Sequence, residues 1–135
     1  MNKFWGIAII LILITITCVG YCILDKFFPM AKPIKTPTLE NIVSISITCN
    51  KEETVELLST EFEKLVSNIK TAKPTRRMSV NDYPGIQKYY KIEIRTAEKE
   101  YSYFIYEEDN QVYIELPYDS IYTSTDKVLE WVSSF

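Results

Sequence analysis

An uncharged apolar run from Phe4 to Leu24, FWGIAIILILITITCVGYCIL, constrains this chain more than any other feature. As a helix, a run of this length reaches about 31 Å at 1.5 Å per residue, close to the thickness of a bilayer hydrocarbon core. A short tail of residues 1–3 precedes it, and the chain that follows is polar. The run therefore predicts one transmembrane helix at residues 4–24, through which the chain contacts the membrane.

Three interpretations of this run differ in whether the rest of the chain stays attached to the membrane. A retained signal-anchor is favoured, because a cleaved secretory signal usually has a shorter apolar stretch and a more basic start. Cys18-Val19-Gly20 offers small residues at a suitable spacing, so cleavage remains an alternative. A lipoprotein anchor is disfavoured, because Ile16 and Tyr21 are bulky where small residues before a cysteine are needed.

The orientation of the span depends on two opposing signals. Lys26, Lys32 and Lys35 follow the run while only Lys3 precedes it, and positive-inside counting then favours a cytoplasmic domain. A very short N-terminal tail, however, is typical of a signal-anchor that sends the C-terminal part outward. We expect the second signal to prevail and the domain to be extracytoplasmic.

Residues 25–38 are predicted to form a stalk. Pro29, Pro33 and Pro37 recur every four residues among lysines and threonines. Because proline fixes φ and lacks an N–H donor, such a segment favours extended backbone over helix or strand. The predicted role is that of a spacer between the span and the domain.

The composition of the remaining domain, residues 39–135, excludes several functions. Of 15 basic and 18 acidic residues in the chain, the four lysines named above and Asp25 precede residue 39, which leaves 11 against 17 and a net charge of −6. This balance argues against nucleic acid as a partner. The chain has no histidine, and Cys49 is the domain's one cysteine, so the commonest catalytic bases, zinc ligands and internal disulfides are missing. We expect no enzyme, no catalytic residue, no metal site and no cofactor.

Periodicity predicts the secondary structure of the first half of the domain. Ile42 to Cys49 alternates between apolar and polar residues, which indicates a half-buried strand, and a turn at Asn50-Lys51 leads into a short strand near Thr54 to Leu57. Thr60-Glu61-Phe62-Glu63 matches a capping box, so a helix is expected to begin there.

The second half of the domain is predicted to be sheet, closed by a last helix. Alternation is seen at residues 90–96, 100–106 and 112–116, and a last helix capped by Thr125 is expected. The predicted order is strand, strand, helix, three strands, helix. This defines an α+β domain with helices on one face of an antiparallel sheet, behind an N-terminal transmembrane helix.

Two stretches carry a resemblance to a known family: AKPTRRMSVNDYP at 72–84 and VYIELPYDSIY at 112–122. They resemble domain-of-unknown-function family 5301, and the resemblance covers roughly residues 41–122. It implies a small exported or membrane-anchored protein of Gram-positive bacteria with the element order given above. It implies no activity and no site residue, because the family has no assigned function.

The segment from Ala72 to Lys88 is predicted to be a long loop between the first domain helix and the third strand, and it holds one candidate site. Lys73, Arg76 and Arg77 lie close to Asn81-Asp82 in sequence. The arginine forks suit a carboxylate or another small anion. Alternatively, one arginine pairs with Asp82 while Asn81 caps a turn, and the loop then has only a structural role.

Tyrosines in or beside the strands form the second candidate site. Tyr103, Tyr113 and Tyr118 are the members that we expect to contact a partner, because tyrosine presents a rigid apolar body with a polar tip. The alternative is structural, since tyrosine also stabilises antiparallel sheets through cross-strand pairs.

Carboxylates offer two further interpretations. Glu107-Glu108-Asp109 lacks the spacing of a calcium loop and is predicted to be a solvated turn. Glu93, Glu107 and Glu115 would make a histidine-free hydrolase if the fold brought them together.

The favoured hypothesis is an anchored extracytoplasmic module that binds a protein or envelope partner. The alternatives are that hydrolase and a structural accessory subunit of a membrane complex.

Overall fold

The computed structural model describes residues 3–50 and 52–135, and the chain divides into two compact units with their boundary between Met30 and Ala31. Lys51, half of the predicted Asn50-Lys51 turn, lies outside the described residues, as do Met1 and Asn2 of the predicted tail.

The first unit contains one long apolar helix, α1 (Lys3–Phe27). Its segment Phe4–Phe27 has a mean hydropathy of 2.8 and is not buried within the protein. Its threonine hydroxyls at positions 15 and 17 donate to carbonyls one turn earlier, at 2.9 and 2.8 Å, so their polar groups are paired within the helix. By length and composition α1 can cross a bilayer; a signal sequence near an N-terminus has the same properties.

The second unit is built on a seven-stranded sheet in the spatial order β2-β1-β4-β5-β6-β7-β3, and every described pairing is antiparallel. The strands from β4 to β7 follow one another as hairpins, while β3 lies at the far edge beside β7. The strands are β1 (Ile42–Cys49), β2 (Glu53–Glu56), β3 (Lys73–Met78), β4 (Tyr90–Thr96), β5 (Glu100–Glu108), β6 (Gln111–Glu115) and β7 (Ser120–Ser124).

The main core lies between one face of this sheet and two helices, α2 (Phe62–Lys70) and α3 (Asp126–Val132). The apolar stripe of α2 is buried, and α3 contributes two buried valines. Burial of each such aliphatic side chain stabilises the fold by about 1.5–3 kcal/mol. The predicted α+β fold, with an apolar helix before it, is confirmed. The most buried members of the core are Ile45, Leu65, Ile69, Ile92, Ile94, Tyr103, Ile105, Val112, Ile114, Val128 and Val132.

The predicted capping box of α2 is wrong. Ser59–Glu61 forms a 3-10 turn, and Glu61 rather than Thr60 occupies the N-cap position, with no side-chain hydrogen bond to the helix. Since the 3-10 turn leads directly into α2, the Thr60 side chain is one residue too early to cap it. Helix α3 begins directly after Thr125, as predicted, but the Thr125 side chain makes no capping hydrogen bond to it.

Two strands went unpredicted. β3 occupies the first third of the segment predicted to be a loop, and β7 follows a turn at Leu116–Asp119. β3 shows no apolar alternation and contains Pro74, which is tolerated because β3 is an edge strand paired on one side only. The true connection between β3 and β4 is therefore residues 79–89.

The predicted stalk also needs correction, because its second part belongs to the folded domain. Residues 31–38, which we call the strap, begin where the Ala31 amide donates to the Thr75 carbonyl at 2.9 Å. Ala31 and Ile34 pack against the main core, and Pro37 is buried. The domain therefore begins at residue 31 rather than at 39.

Candidate binding site

The helix-free face of the sheet carries its own aromatic cluster, covered by the β3–β4 connection. Tyr89, Phe104 and Tyr106 are buried there. Tyr83, from the connection, meets Phe104 edge to face with ring centroids 5.6 Å apart, and Tyr89 does the same at 5.5 Å. These contacts hold the connection against the sheet, so its side chains are placed by packing.

A buried carboxylate lies within this layer. Glu115 is 5% exposed and accepts hydrogen bonds from Ser79 at 2.5 Å and from the Tyr106 hydroxyl at 3.0 Å. Burial raises the pKa of Tyr106 above its ordinary value of about 10, and the neighbouring Glu115 carboxylate raises it further. The two hydroxyls satisfy the Glu115 carboxylate and join the β3–β4 connection to β6.

The predicted arginine site is occupied by the protein itself. The Arg77 guanidinium lies 4.9 Å from the centre of the Tyr113 ring and forms an ion pair with Glu108 at 3.2 Å. Partial burial lowers the pKa of Arg77, but the hydrogen bond to Glu108 and the nearby Tyr106, Glu108 and Tyr113 together outweigh it, and the pKa is raised. Arg77 lies on the strand nearest β7 and reaches the β5–β6 hairpin, where its partner is Glu108. Arg77 and Tyr113 thus form a cation–π pair rather than an open anion site.

Asp82 and Tyr118 meet at a different place on the surface. Tyr118 is 66% exposed and has a φ of 58°, which turns its side chain out of the β6–β7 turn. Its hydrogen bond to Asp82 raises the pKa of the Tyr118 hydroxyl. This contact links the β3–β4 connection to the β6–β7 turn and brings two of the predicted site residues together.

An open cleft of about 490 Å³ lies beside this contact. Its floor is the first half of β5, residues 100–104, and its walls are Asp82-Tyr83 on one side and Leu116, Pro117 and Asp119 on the other. This volume falls within the range of small-ligand pockets, roughly 300–1,000 Å³. The cleft is therefore a candidate site for a small ligand or an extended segment.

Charge in the cleft is predominantly negative. Asp82, Glu100 and Asp119 contribute carboxylates, while Lys91 contributes one ammonium group that is paired with Glu93. Glu100 is itself in contact with the exposed Arg95 at 3.3 Å. Since an exposed pair of this kind is weak, Glu100 can exchange Arg95 for a ligand at little cost.

The remaining predicted site residues have other places. Tyr103 was wrongly expected on the surface: it is 1% exposed, its hydroxyl donates to the Lys35 carbonyl at 2.7 Å, and burial raises its pKa. Arg76 is half-buried in β3, and Asn81 is exposed next to Asp82. The residues that sequence reasoning missed are Glu100, Ser102 and Asp119, which carry no local motif and meet only because β6 is shorter than β5.

Comparison with known proteins fits this description of a small α+β domain behind an apolar helix. The family model DUF5301, described as "Domain of unknown function (DUF5300)", matches residues 30–123. The chain belongs to this family, which confirms the resemblance seen in the sequence. The match begins earlier than the Asn41 expected and includes the strap.

A solved structure is also similar to this chain: "NMR structure of the protein from Ruminococcus gnavus". The two sequences are 34% identical, and the match covers 67% of this chain and 89% of the Ruminococcus gnavus chain, with a TM-score of 0.58. No curated protein matches the chain. Both matches establish the family and fold and assign no activity.

Proposed function

We propose that this chain is a membrane-anchored extracytoplasmic binding module whose binding surface is the cleft between β5, Asp82-Tyr83 and the β6–β7 turn. The single observation that carries the proposal is this cleft, in which carboxylates and Tyr83 surround an open floor of strand. Helix α1 acts as a retained signal-anchor, with the short N-terminal tail inside.

The arrangement of carboxylates favours binding over hydrolysis. Glu107 lies opposite Val112 on the helix-bearing face of the sheet. Glu115 faces the helix-free side, and its carboxylate accepts hydrogen bonds from Ser79 and Tyr106. The three glutamates considered above therefore do not share a face. With no histidine in the chain, we assign the domain a binding role and no catalytic one.

Substitution in the cleft tests this proposal. The full-length chain in membranes carries Asp82→Asn or Tyr83→Ala, with Glu52→Gln as the matched control, because Glu52 is an exposed carboxylate beside the distant β2 edge. The measured quantity is capture of envelope proteins and glycans by each variant, normalised to the amount of folded protein.

We expect both cleft variants to lower capture about tenfold or more and Glu52→Gln to leave it unchanged, since central aromatic and charged contacts dominate binding energy. Equal capture by all three variants would contradict the proposal. Loss of function on exchange of residues 4–24 for an unrelated span, with cleft variants fully active, would establish the accessory-subunit alternative.

A further inference from the structure

Strand β5 is longer than its neighbour β6, which leaves half of one edge open. Phe104–Glu108 pairs with β6, whereas residues 100–103 pair with β4 alone. After Glu115 the chain turns away through residues 116–119. The pairings among residues 3–50 and 52–135 thus leave residues 100–103 with no strand on the β6 side, and this is the floor of the cleft.

The direction of the backbone groups along β5 follows from the β4–β5 hairpin. The Thr96 amide donates to the Lys99 carbonyl at 2.9 Å, so these two residues form a hydrogen-bonded pair. Bonded and non-bonded pairs alternate along an antiparallel ladder. In the observed register, Tyr101 and Tyr103 therefore use their backbone groups on β4.

Glu100 and Ser102, by the same alternation, direct their N–H and C=O groups away from β4 and into the cleft. The β5–β6 hairpin independently gives the same assignment of which β5 residues direct their backbone groups away from β4. Its turn residues have φ of 51° and 59°, typical of a two-residue type I′ turn closed by the bonded pair Glu108–Gln111. Counting back two residues at a time from Glu108 reaches Phe104 and then Ser102. Two backbone donors and two acceptors thus face the open side.

We propose that an extended basic peptide binds this cleft by adding a short antiparallel strand to residues 100–103 of β5, in the line of β6. This inference rests on the proposed function and names its ligand class. Main-chain hydrogen bonds to an exposed strand edge provide affinity in such complexes, and neighbouring side chains select the sequence.

Charge complementarity selects a basic peptide. Asp82, Glu100 and Asp119 surround the open edge, and of these Glu100 is in a weak exposed pair with Arg95. The one ammonium group among the lining residues, Lys91, is already paired with Glu93. The Tyr83 ring, 42% exposed at the wall, adds a face on which a lysine or arginine head group can rest. An acidic peptide would meet three carboxylates and is excluded by the same geometry.

The outer edges of the sheet are protected against such an addition. β3 carries Pro74, which lacks a donor, and charged side chains at Lys73, Arg76 and Arg77. β2 is only four residues long and bears a glutamate at each end. Short, charged or proline-containing edges are how sheets resist pairing with other chains. The open half of β5 has neither a proline nor a covering strand.

Alternate N-methylation of a probe peptide tests strand addition directly. The probe is acetyl-Lys-Val-Lys-Val-Lys-amide. It is compared with one derivative that is N-methylated at both valines and another that is N-methylated at all three lysines. In a strand, only alternate N–H groups face one neighbour. Binding to the full-length chain in micelles is measured by titration, and amide hydrogen exchange is followed at Ser102 and Tyr103.

We expect one N-methylated derivative to bind at least tenfold more weakly than the unmodified peptide and the other to bind with the same affinity as the unmodified peptide. The Ser102 amide should gain protection on binding, while the Tyr103 amide is protected from the start. Acetyl-Glu-Val-Glu-Val-Glu-amide should not bind. The inference would be overturned if both N-methylated derivatives had equal affinity, whether unchanged or equally weakened. It would also be overturned if the acidic peptide bound equally well or if the basic peptide did not bind.

The same experiments separate this inference from the proposed function. If the basic peptide does not bind while Asp82→Asn and Tyr83→Ala still lower capture of envelope partners, the cleft binds another class of ligand. That result contradicts only the strand-addition inference. If the cleft variants also leave capture unchanged, both fall.

Discussion

At the scale of single residues, the tyrosines show what a sequence leaves open. Tyr103 and Tyr118 have the same chemistry, yet one is buried with its hydroxyl on the Lys35 carbonyl and the other is exposed beside Asp82. Alternation along β5 predicts which face Tyr103 occupies. It does not predict that the strap crosses that face and accepts the hydroxyl, because the strap lies 68 residues away in sequence.

Tyr103→Phe should lower the free energy of unfolding by about 1 kcal/mol, because it removes one buried hydrogen bond and leaves the Lys35 carbonyl without this donor. Tyr118→Phe is the matched control and should change it by less than about 0.5 kcal/mol, since Tyr118 is exposed. Urea unfolding of the full-length chain in micelles measures both. Equal effects of the two substitutions would contradict the strap contact.

Alkaline pH should destabilise the domain through Tyr103 and Tyr106. Burial raises the pKa of both hydroxyls in the folded state above the ordinary value of about 10, so the folded state favours the neutral form. This contribution is fully present below about pH 10 and is lost as the pH rises further. Circular dichroism and absorbance at 295 nm should show unfolding above that pH, shifted upward in Tyr103→Phe/Tyr106→Phe. An unshifted transition would contradict the assignment.

At the scale of elements, the sequence predicts those parts whose pattern is local. Strand β1 matches its predicted bounds, and the stripe of α2 is buried as its spacing indicates. β3 and the strap escaped prediction because both depend on partners far along the chain: β3 on β7, and the strap on the sheet. The cleft escaped for a related reason, since it exists only because two neighbouring strands differ in length.

The strap should contribute to stability as part of the domain. Ile34→Ala should lower the free energy of unfolding by about 1 kcal/mol, because Ile34 is half-buried against the main core. Pro33→Ala is the neighbouring control, at an exposed position. Thermal unfolding of both variants in the same micelles decides: no difference between them would mean that the segment is a spacer, as first predicted from its prolines.

At the scale of the whole molecule, the chain combines an apolar helix with a domain that carries an open strand edge within an acidic cleft. The proposed anchored extracytoplasmic module requires that α1 is retained and that its N-terminus lies inside. The lysines after the span favour the opposite orientation, so the orientation needs a direct measurement.

External protease on intact protoplasts should remove a tag placed after Phe135, because we expect the domain to lie outside. Mass measurement of the membrane-bound product should show the residues before Cys22 still attached, since we expect the span to be retained. Removal of the tag only after lysis would place the domain in the cytoplasm. A mature product lacking residues 1–20 would show cleavage.

Photo-cross-linking across the surface tests the central claim, that one cleft of an anchored domain does the binding. A photoreactive residue is introduced singly at 83 and 119 in the cleft, at 118 beside it, at 63 and 131 near the helices, and at 11 in the span, in the full-length chain in its membrane. We predict adducts at 83, 118 and 119 and none at the others. Adducts confined to the helix-bearing side or to the span would contradict the account.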